Sequence, residues 1–399
     1  MSSVRLYRAA IAILISVGMC AFALYGCSEQ RQSSSSQAGS ASVQSAPVVA
    51  LEKAPVMLDE SFGGVYIEPT IDEFNKLGFK FGDSVDVEFS NGYKIQDIPY
   101  YNGYYVDAGD PLLVGYPGYP HIEAAICFGD PLWEVAGLKE GDTASVTLRS
   151  PGAYLNVQEA FDVTYTNDRS DYGSDEEFAN FRTFYGGSMK PDVAYRSASP
   201  INNDYNRAPY VEELMKKAGI AFVLNMSENE DEVNALITED IRQGIDVSRY
   251  EELIATNCAV LLDCSANYRS ESFARLLVSG LVDMAKHEGP YLVHCVEGKD
   301  RTGFACLLVE ALCGATYDEM LSDYMMSYAN YYGITKDSDP EKYEAIKGLQ
   351  FDGMLRFLAG ADKNADLTAI DYTGPARDYL RMGGMTDDQI DALVSRLSK

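Results

Sequence analysis

The chain is 399 residues long and carries 60 acidic against 32 basic side chains, a formal net charge of −28 at pH 7. That excess argues against nucleic acid, or an anionic membrane surface, as a broad-face partner. The length is enough for two domains with separate cores.

The N-terminus reads as a targeting segment. Arg5 and Arg8 precede an apolar run, Ala9 to Leu24, too short for a comfortable membrane span. The run closes on Leu24-Tyr25-Gly26-Cys27, which resembles the lipobox of bacterial lipoproteins. Cleavage before Cys27 and lipidation of its thiol would leave 1–26 as a signal peptide. Tyr25 is bulkier than the small residue usual there, which leaves an uncleaved anchor as the alternative. Either way the chain is expected to be exported and anchored at a bacterial membrane, facing the cell surface or the periplasm, with its lipid or N-terminal anchor as its membrane contact. Residues 27–54, rich in Ser, Gln and Ala and without apolar periodicity, read as a flexible linker.

Residues 55–166 form a β-rich accessory domain. Alternating runs such as Val85-Asp86-Val87-Glu88-Phe89, Tyr104-Tyr105-Val106 and Ser145-Val146-Thr147-Leu148 are separated by Pro, Gly and Asp turns. Gly78-Phe79-Lys80-Phe81-Gly82-Asp83-Ser84 is echoed by Gly137-Leu138-Lys139-Glu140-Gly141-Asp142-Thr143, and each copy enters a strand. A small barrel or sandwich is expected. The tyrosines at 100, 101, 104, 105, 116 and 119 read as strand and turn packing ahead of a binding surface.

From 167 to 399 strands and helices alternate, which predicts an α/β domain with a mostly parallel central sheet flanked by helices. Strands are expected at Val193–Tyr195, Ile220–Asn225, Ala259–Asp263 and Tyr291–His294. Helices are expected at Tyr210–Ala218, Phe273–His287, Thr302–Leu312, Tyr317–Tyr332, Tyr343–Leu358 and, behind a capping box at Thr386 and Gln389, to about Leu397. Ligands of such sheets bind at the carboxyl ends of the strands.

Cys127, Cys258, Cys264, Cys295, Cys306 and Cys313 lack the spacing of a disulfide framework or of zinc ligation. Only His121, His287 and His294 are available as imidazole ligands. No metal or other cofactor is implied.

The chemistry concentrates in His294-Cys295-Val296-Glu297-Gly298-Lys299-Asp300-Arg301-Thr302-Gly303, which leaves the apolar strand Tyr291–Val293 and opens a helix. Gly298 and Gly303 let the backbone bend so that the N–H groups of Val296, Glu297, Gly298, Lys299 and Gly303 can hold an anion. The helix N-terminus adds free N–H groups and partial positive charge. Arg301 can grip two phosphate oxygens, and the whole environment favours the thiolate of Cys295. A buried cysteine ahead of a helix is the plain alternative.

These ten residues resemble the phosphate-binding loop of the cysteine-dependent tyrosine phosphatase superfamily. Their Gly-Lys-Asp-Arg-Thr-Gly ending resembles the bacterial branch that includes tyrosine phosphatases also active on phosphoinositides. Asn180-Phe181-Arg182-Thr183 with Tyr195-Arg196-Ser197-Ala198 resembles that family's opening motif, although Thr183 stands where an Asp is usual. Asn225-Met226-Ser227 stands where the family usually has Asp-Leu-Arg, and that Asp is a candidate proton donor in relatives.

The resemblance implies a phosphate monoester hydrolase acting on a phosphorylated protein, a phosphoinositide or an inositol phosphate. Cys295 would be the nucleophile, Arg301 the phosphate clamp, and Thr302 a hydrogen-bond donor to the Cys295 sulfur or a helix cap. His294 is expected to bond the loop backbone or to sit in the core. Asp300 is the first candidate for general acid, with Glu228, Glu230, Asp231 and Asp263 as alternatives. Lys299 would add a second cation at the mouth. Competing readings are a catalytically weak phosphate-binding or adhesion lipoprotein, and a rhodanese-like sulfur carrier, whose loop the Gly-Lys-Asp-Arg-Thr-Gly spacing fits less well.

Overall fold

The computed structural model describes residues 49–399 except Ser61, so the expected signal peptide, Cys27 and most of the linker lie outside it. Two compact units follow one another, the first ending at Leu155 and the second running from Asn156 to Lys399. That division falls some ten residues before the expected 166/167 boundary, at the helix Leu155–Phe161.

In the first unit seven strands close a barrel: β1 (Ala50–Leu58), β2 (Val65–Ile67), β3 (Ser84–Phe89), β4 (Lys94–Tyr101), β5 (Pro111–Val114), β6 (Ile122–Ile126) and β7 (Thr143–Ser150). Their order is β1-β2-β6-β5-β4-β3-β7, and β7 returns to pair with β1. Closure leaves no free sheet edge, and the inward side chains of every strand meet in one core around Phe74, Val85, Tyr100 and Val146.

The sequence echo marks a repeated turn. The Asp83 carboxylate accepts from the Lys80 N–H at 2.7 Å, and Asp142 accepts from Lys139 at 2.8 Å. Gly82 and Gly141 adopt φ of +92° and +90° between them.

Two expectations need correction here. The linker does not extend to 54, because β1 starts at Ala50 and bonds to β7 from there. Tyr104-Tyr105-Val106 is no strand: the chain turns after Asn102, and the Tyr104 hydroxyl donates to Glu123 at 2.9 Å.

The second unit holds a five-stranded sheet built from β8 (Arg182–Thr183), β9 (Ala194–Ser197), β10 (Phe222–Asn225), β11 (Ala259–Leu261) and β12 (Tyr291–His294). Its order is β11-β10-β12-β9-β8, parallel except for β8. The register aligns His294 with Asn225 on one side and Ser197 on the other, so three strand ends open side by side. The loops that follow them build the site, as open α/β sheets do.

Helix Asp300–Leu312 is buried on nearly all sides and forms the middle of the core with helix Glu271–Met284. Helices Glu230–Gln243, Ser248–Ala255 and Thr373–Met382 were not among the expected elements. The expected helix Tyr343–Leu358 runs as Pro340–Ile346 and Asp352–Ala359 around a wider turn at Lys347–Phe351. Among the described residues no helix is long and apolar enough to cross a membrane, and no group of three His, Cys, Asp or Glu is placed to hold a metal ion.

Candidate active site

β12 delivers His294 to the carboxyl end of the sheet's central strand, and Cys295, 3% exposed, follows at the start of the loop. Gly298 is required twice over. It takes φ +66°, and a Cβ there would lie 2.1 Å from the Ser197 carbonyl oxygen.

The loop's shape is held through its carbonyls. Val296 O accepts from the Ser199 N–H at 3.0 Å, and Glu297 O from the Tyr331 hydroxyl at 2.6 Å. Gly298 O accepts from Arg196 at 2.9 Å and from the Asn180 amide at 3.2 Å, while Lys299 O accepts from Arg196 at 3.4 Å. In a trans peptide the next N–H points opposite its carbonyl. The N–H groups of Glu297, Gly298, Lys299 and Asp300 therefore face away from these donors, into the hollow that the first turn of the helix also borders.

The donors are themselves fixed by a buried charge cluster. Asp323 sits between Arg182, at 2.9 Å, and Arg196. Burial alone would raise its carboxyl, but the two guanidinium groups hold it below the usual carboxylate range. Arg182 also donates to the Asn180 side-chain oxygen at 2.6 Å, which turns the Asn180 NH₂ toward the loop. Ser327 accepts from both Asn180 and Arg182 at 3.1 Å. Glu310, buried in the same cluster, is pushed well above the carboxylate range by burial and by Asp323.

The expected site residues separate into several groups. Arg301 stands in the first helical turn and donates to Cys264 O at 3.1 Å. Asp300 opens the helix, with its side chain 58% exposed. Val296 is half-buried. Lys299 is not a free cation: its ammonium donates to the Tyr332 hydroxyl at 3.0 Å and lies 3.6 Å from Glu297 and 4.0 Å from Asp300. Burial would lower its pKa, but the Asp300 and Glu297 carboxylates more than offset that and hold the charge.

Two residues depart from their expected roles. Thr302 is buried, its hydroxyl bonds neither the Cys295 sulfur nor any other described group, and Lys299 takes the cap position. Gly303 lies inside the helix, where its missing side chain admits the Tyr324 ring; a Cβ would be 2.9 Å from it. His294 is buried, with its ring against the Cys295 backbone. Burial, aided by the Arg301 charge and opposed by the Cys295 backbone, pushes its pKa down to about 3.

Asn225 serves the turn after β10. Its oxygen accepts from the Ser227 and Glu228 N–H groups at 2.8 and 3.3 Å, and its NH₂ donates to Tyr250 at 2.8 Å. Glu228 is the buried carboxyl here, with one oxygen unpaired. Burial pushes it up to about 7, against the pull of Asn225 and Arg301. Glu230, Asp231 and Asp263 are exposed.

Asp323, Ser327 and Tyr331 were missed in the sequence. Their spacing of four residues along one helix is a polar stripe on a single face, and that signal was available.

Two outcomes follow from this geometry. Gly298→Ala should cost about 2 kcal/mol or more in thermal unfolding, from the strained φ together with the clash at Ser197. Gly244→Ala, at φ +79° with open space around it, should cost only about 1 kcal/mol. Equal losses would remove the steric argument. For Glu228, a folded pKa of about 7 against an ordinary 4.5 means its contribution is full below the unfolded value and is lost as pH rises through 7. Glu228→Gln should therefore melt close to wild type at pH 5 and gain on it by pH 8, by up to about 3 kcal/mol. A difference independent of pH would contradict this.

A sequence profile described as the Tyrosine phosphatase family matches residues 174–399. A curated relative, the tyrosine-protein phosphatase of Nostoc commune, is 33% identical over 122 residues, 29% of this chain and 41% of the relative. A second, from Cupriavidus necator, is 42% identical over 65 residues, 16% of this chain and 22% of the relative. The chain thus spans less than half the length of the curated relatives it matches. Among solved structures, the core catalytic domain of a PP-IP phosphatase from S. cerevisiae is 16% identical, with a TM-score of 0.24, over 45% of this chain and 95% of that one. An uncharacterised conserved protein from Thermotoga maritima is 27% identical, with a TM-score of 0.21, over 25% of this chain and 38% of that one. The profile takes in more than half of the sequence, including the loop and every residue that clamps it, and the chain belongs to the tyrosine phosphatase family.

Proposed function

We propose that the second unit is a phosphate monoester hydrolase that works through a phosphocysteine intermediate. The observation that carries this reading is the captured carbonyl row from Val296 to Lys299, which turns four successive N–H groups into the hollow beside Cys295. Those dipoles, with Arg301, suit the three equatorial oxygens of a phosphoryl group in transfer.

The Cys295 thiolate attacks phosphorus as the ester P–O bond breaks, and the leaving oxygen takes a proton. Water then attacks phosphorus, the P–S bond breaks, and the thiolate returns with inorganic phosphate released. Asp300 is the proposed proton donor, because its exposed position at the mouth is where a leaving group would stand. Thr302, whose buried hydroxyl lies two residues further along, has no assigned step.

Phosphorylated protein is the favoured substrate class. The likeness of Gly298–Gly303 to the phosphoinositide-active branch supports phosphoinositides or inositol phosphates as the second, but the pinned state of Lys299 weighs against it. Export and a lipid anchor on Cys27 are proposed from the sequence of residues 1–27 alone.

Cys295→Ser should abolish release of p-nitrophenol from p-nitrophenyl phosphate, and Arg301→Lys should reduce kcat/KM by about 100-fold or more. Retained turnover in the serine variant would refute the intermediate. Asp300→Asn should slow an alkyl phosphate, a poor leaving group, by about 100-fold while slowing the nitrophenyl ester much less. Equal effects on both esters would rule Asp300 out as the acid.

A further inference from the structure

The rim of the loop is built around a carboxylate from the loop itself. Glu297 has its carbonyl held by Tyr331 at 2.6 Å and one carboxylate oxygen held by the Tyr165 hydroxyl. Its other oxygen lies 3.6 Å from the Lys299 ammonium, and the side chain is 24% exposed.

Tyr165 belongs to a segment without regular secondary structure, yet its ring is fixed. It stacks on Tyr331 at 5.0 Å and meets Tyr332 and Tyr205 edge-on at 5.5 and 5.9 Å. The Arg207 guanidinium lies 4.7 Å from its centroid. Glu297 is thus held by a partner that cannot readily move away.

Lys299, the cation that a second phosphate would seek, is committed. It bonds Tyr332, lies over the Tyr332 and Tyr328 rings at 5.4 and 5.7 Å, and is outnumbered by Glu297 and Asp300. One phosphate in the hollow meets N–H dipoles and Arg301. A second phosphate on the same substrate meets the Glu297 carboxylate beside an ammonium that is already neutralised, and like charges at such range repel.

Resting on the phosphatase reading above, we propose that Glu297, braced by Tyr165 and set against Lys299, is a specificity-determining residue that confines the site to substrates carrying a single phosphate group. The half-buried rings of Tyr165, Tyr205 and Tyr332 beside it favour a flat, apolar leaving group, as in an aryl phosphate.

The test is binding to the full chain carrying Cys295→Ser, measured calorimetrically with phenyl phosphate and with inositol 1,4,5-trisphosphate. Adding Glu297→Gln should raise affinity for the trisphosphate relative to phenyl phosphate by about ten-fold. An unchanged ratio overturns the proposal. A measurement without any rim substitution guards against misfolding of that variant. Raising NaCl about ten-fold, from roughly 0.05 to roughly 0.5 M, should narrow the preference for phenyl phosphate, because screening relieves repulsion. A preference that widens with salt means the rim attracts the extra phosphates and also overturns it. Turnover of p-nitrophenyl phosphate by the chain with Cys295 intact keeps the two readings apart. Turnover with an unchanged binding ratio sinks only the role of Glu297, whereas a shifted ratio without turnover supports that role and sinks the hydrolase.

Discussion

The loop keeps its shape because one carboxylate, Asp323, is held between two guanidinium groups in the core of the second unit. Arg196 is fully buried and Arg182 nearly so, and neither charge would be tolerable there unpaired. Pairing with Asp323 lets both remain ionised, and both then spend their other N–H groups on the site. Arg196 bonds the Gly298 and Lys299 carbonyls directly, while Arg182 orients Asn180, which bonds the carbonyls of Glu297 and Gly298. Such a cluster is poor evidence of stability as such, since desolvation offsets much of the attraction. Its effect is geometric: it ties residues 180, 182, 196, 298 and 323, far apart in the chain, to one backbone conformation.

That long-range character explains what could and could not be read from the sequence. β12 and helix Asp300–Leu312 were legible because an apolar strand followed by a glycine-bearing loop and a second apolar run is a local pattern. The paired Gly-Asp turns of the barrel were legible for the same reason, since the Asp83 and Asp142 carboxylates each bond an N–H three residues away. Asn180, Arg182 and Arg196 stood out only as parts of a resembling motif. What they do depends on Asp323, more than a hundred residues later, and no local spacing carries that. Thr302 and Gly303 show the converse error. Both lie in the conspicuous stretch, yet the helix begins at Asp300, so Thr302 turns into the core and Gly303 makes room for Tyr324. Tyr104 to Val106 alternates like a strand but follows Asn102-Gly103, and the turn wins over the β preference of tyrosine.

The chain's net charge of −28 and an anionic ligand are compatible because the fields differ in range. Exposed carboxylates are screened over about 8 Å at physiological salt. The N–H groups of the loop and the Arg301 guanidinium act over a few ångströms. The rim is where the two regimes meet. Glu297 and Asp300 bring the acidic character of the surface to the edge of the hollow, and Lys299 is absorbed in balancing them.

Beneath the loop the opposite principle holds, because burial drives His294 and Glu228, at the ends of β12 and β10, toward their uncharged forms. Burial takes His294 down to about 3 and Glu228 up to about 7. An amide, Asn225, occupies the place where the family usually has a carboxylate, and it satisfies two turn N–H groups and Tyr250 without adding charge. A full negative charge on that floor would oppose an incoming phosphate. Asn225 therefore removes a candidate acid while placing no further negative charge beneath the loop.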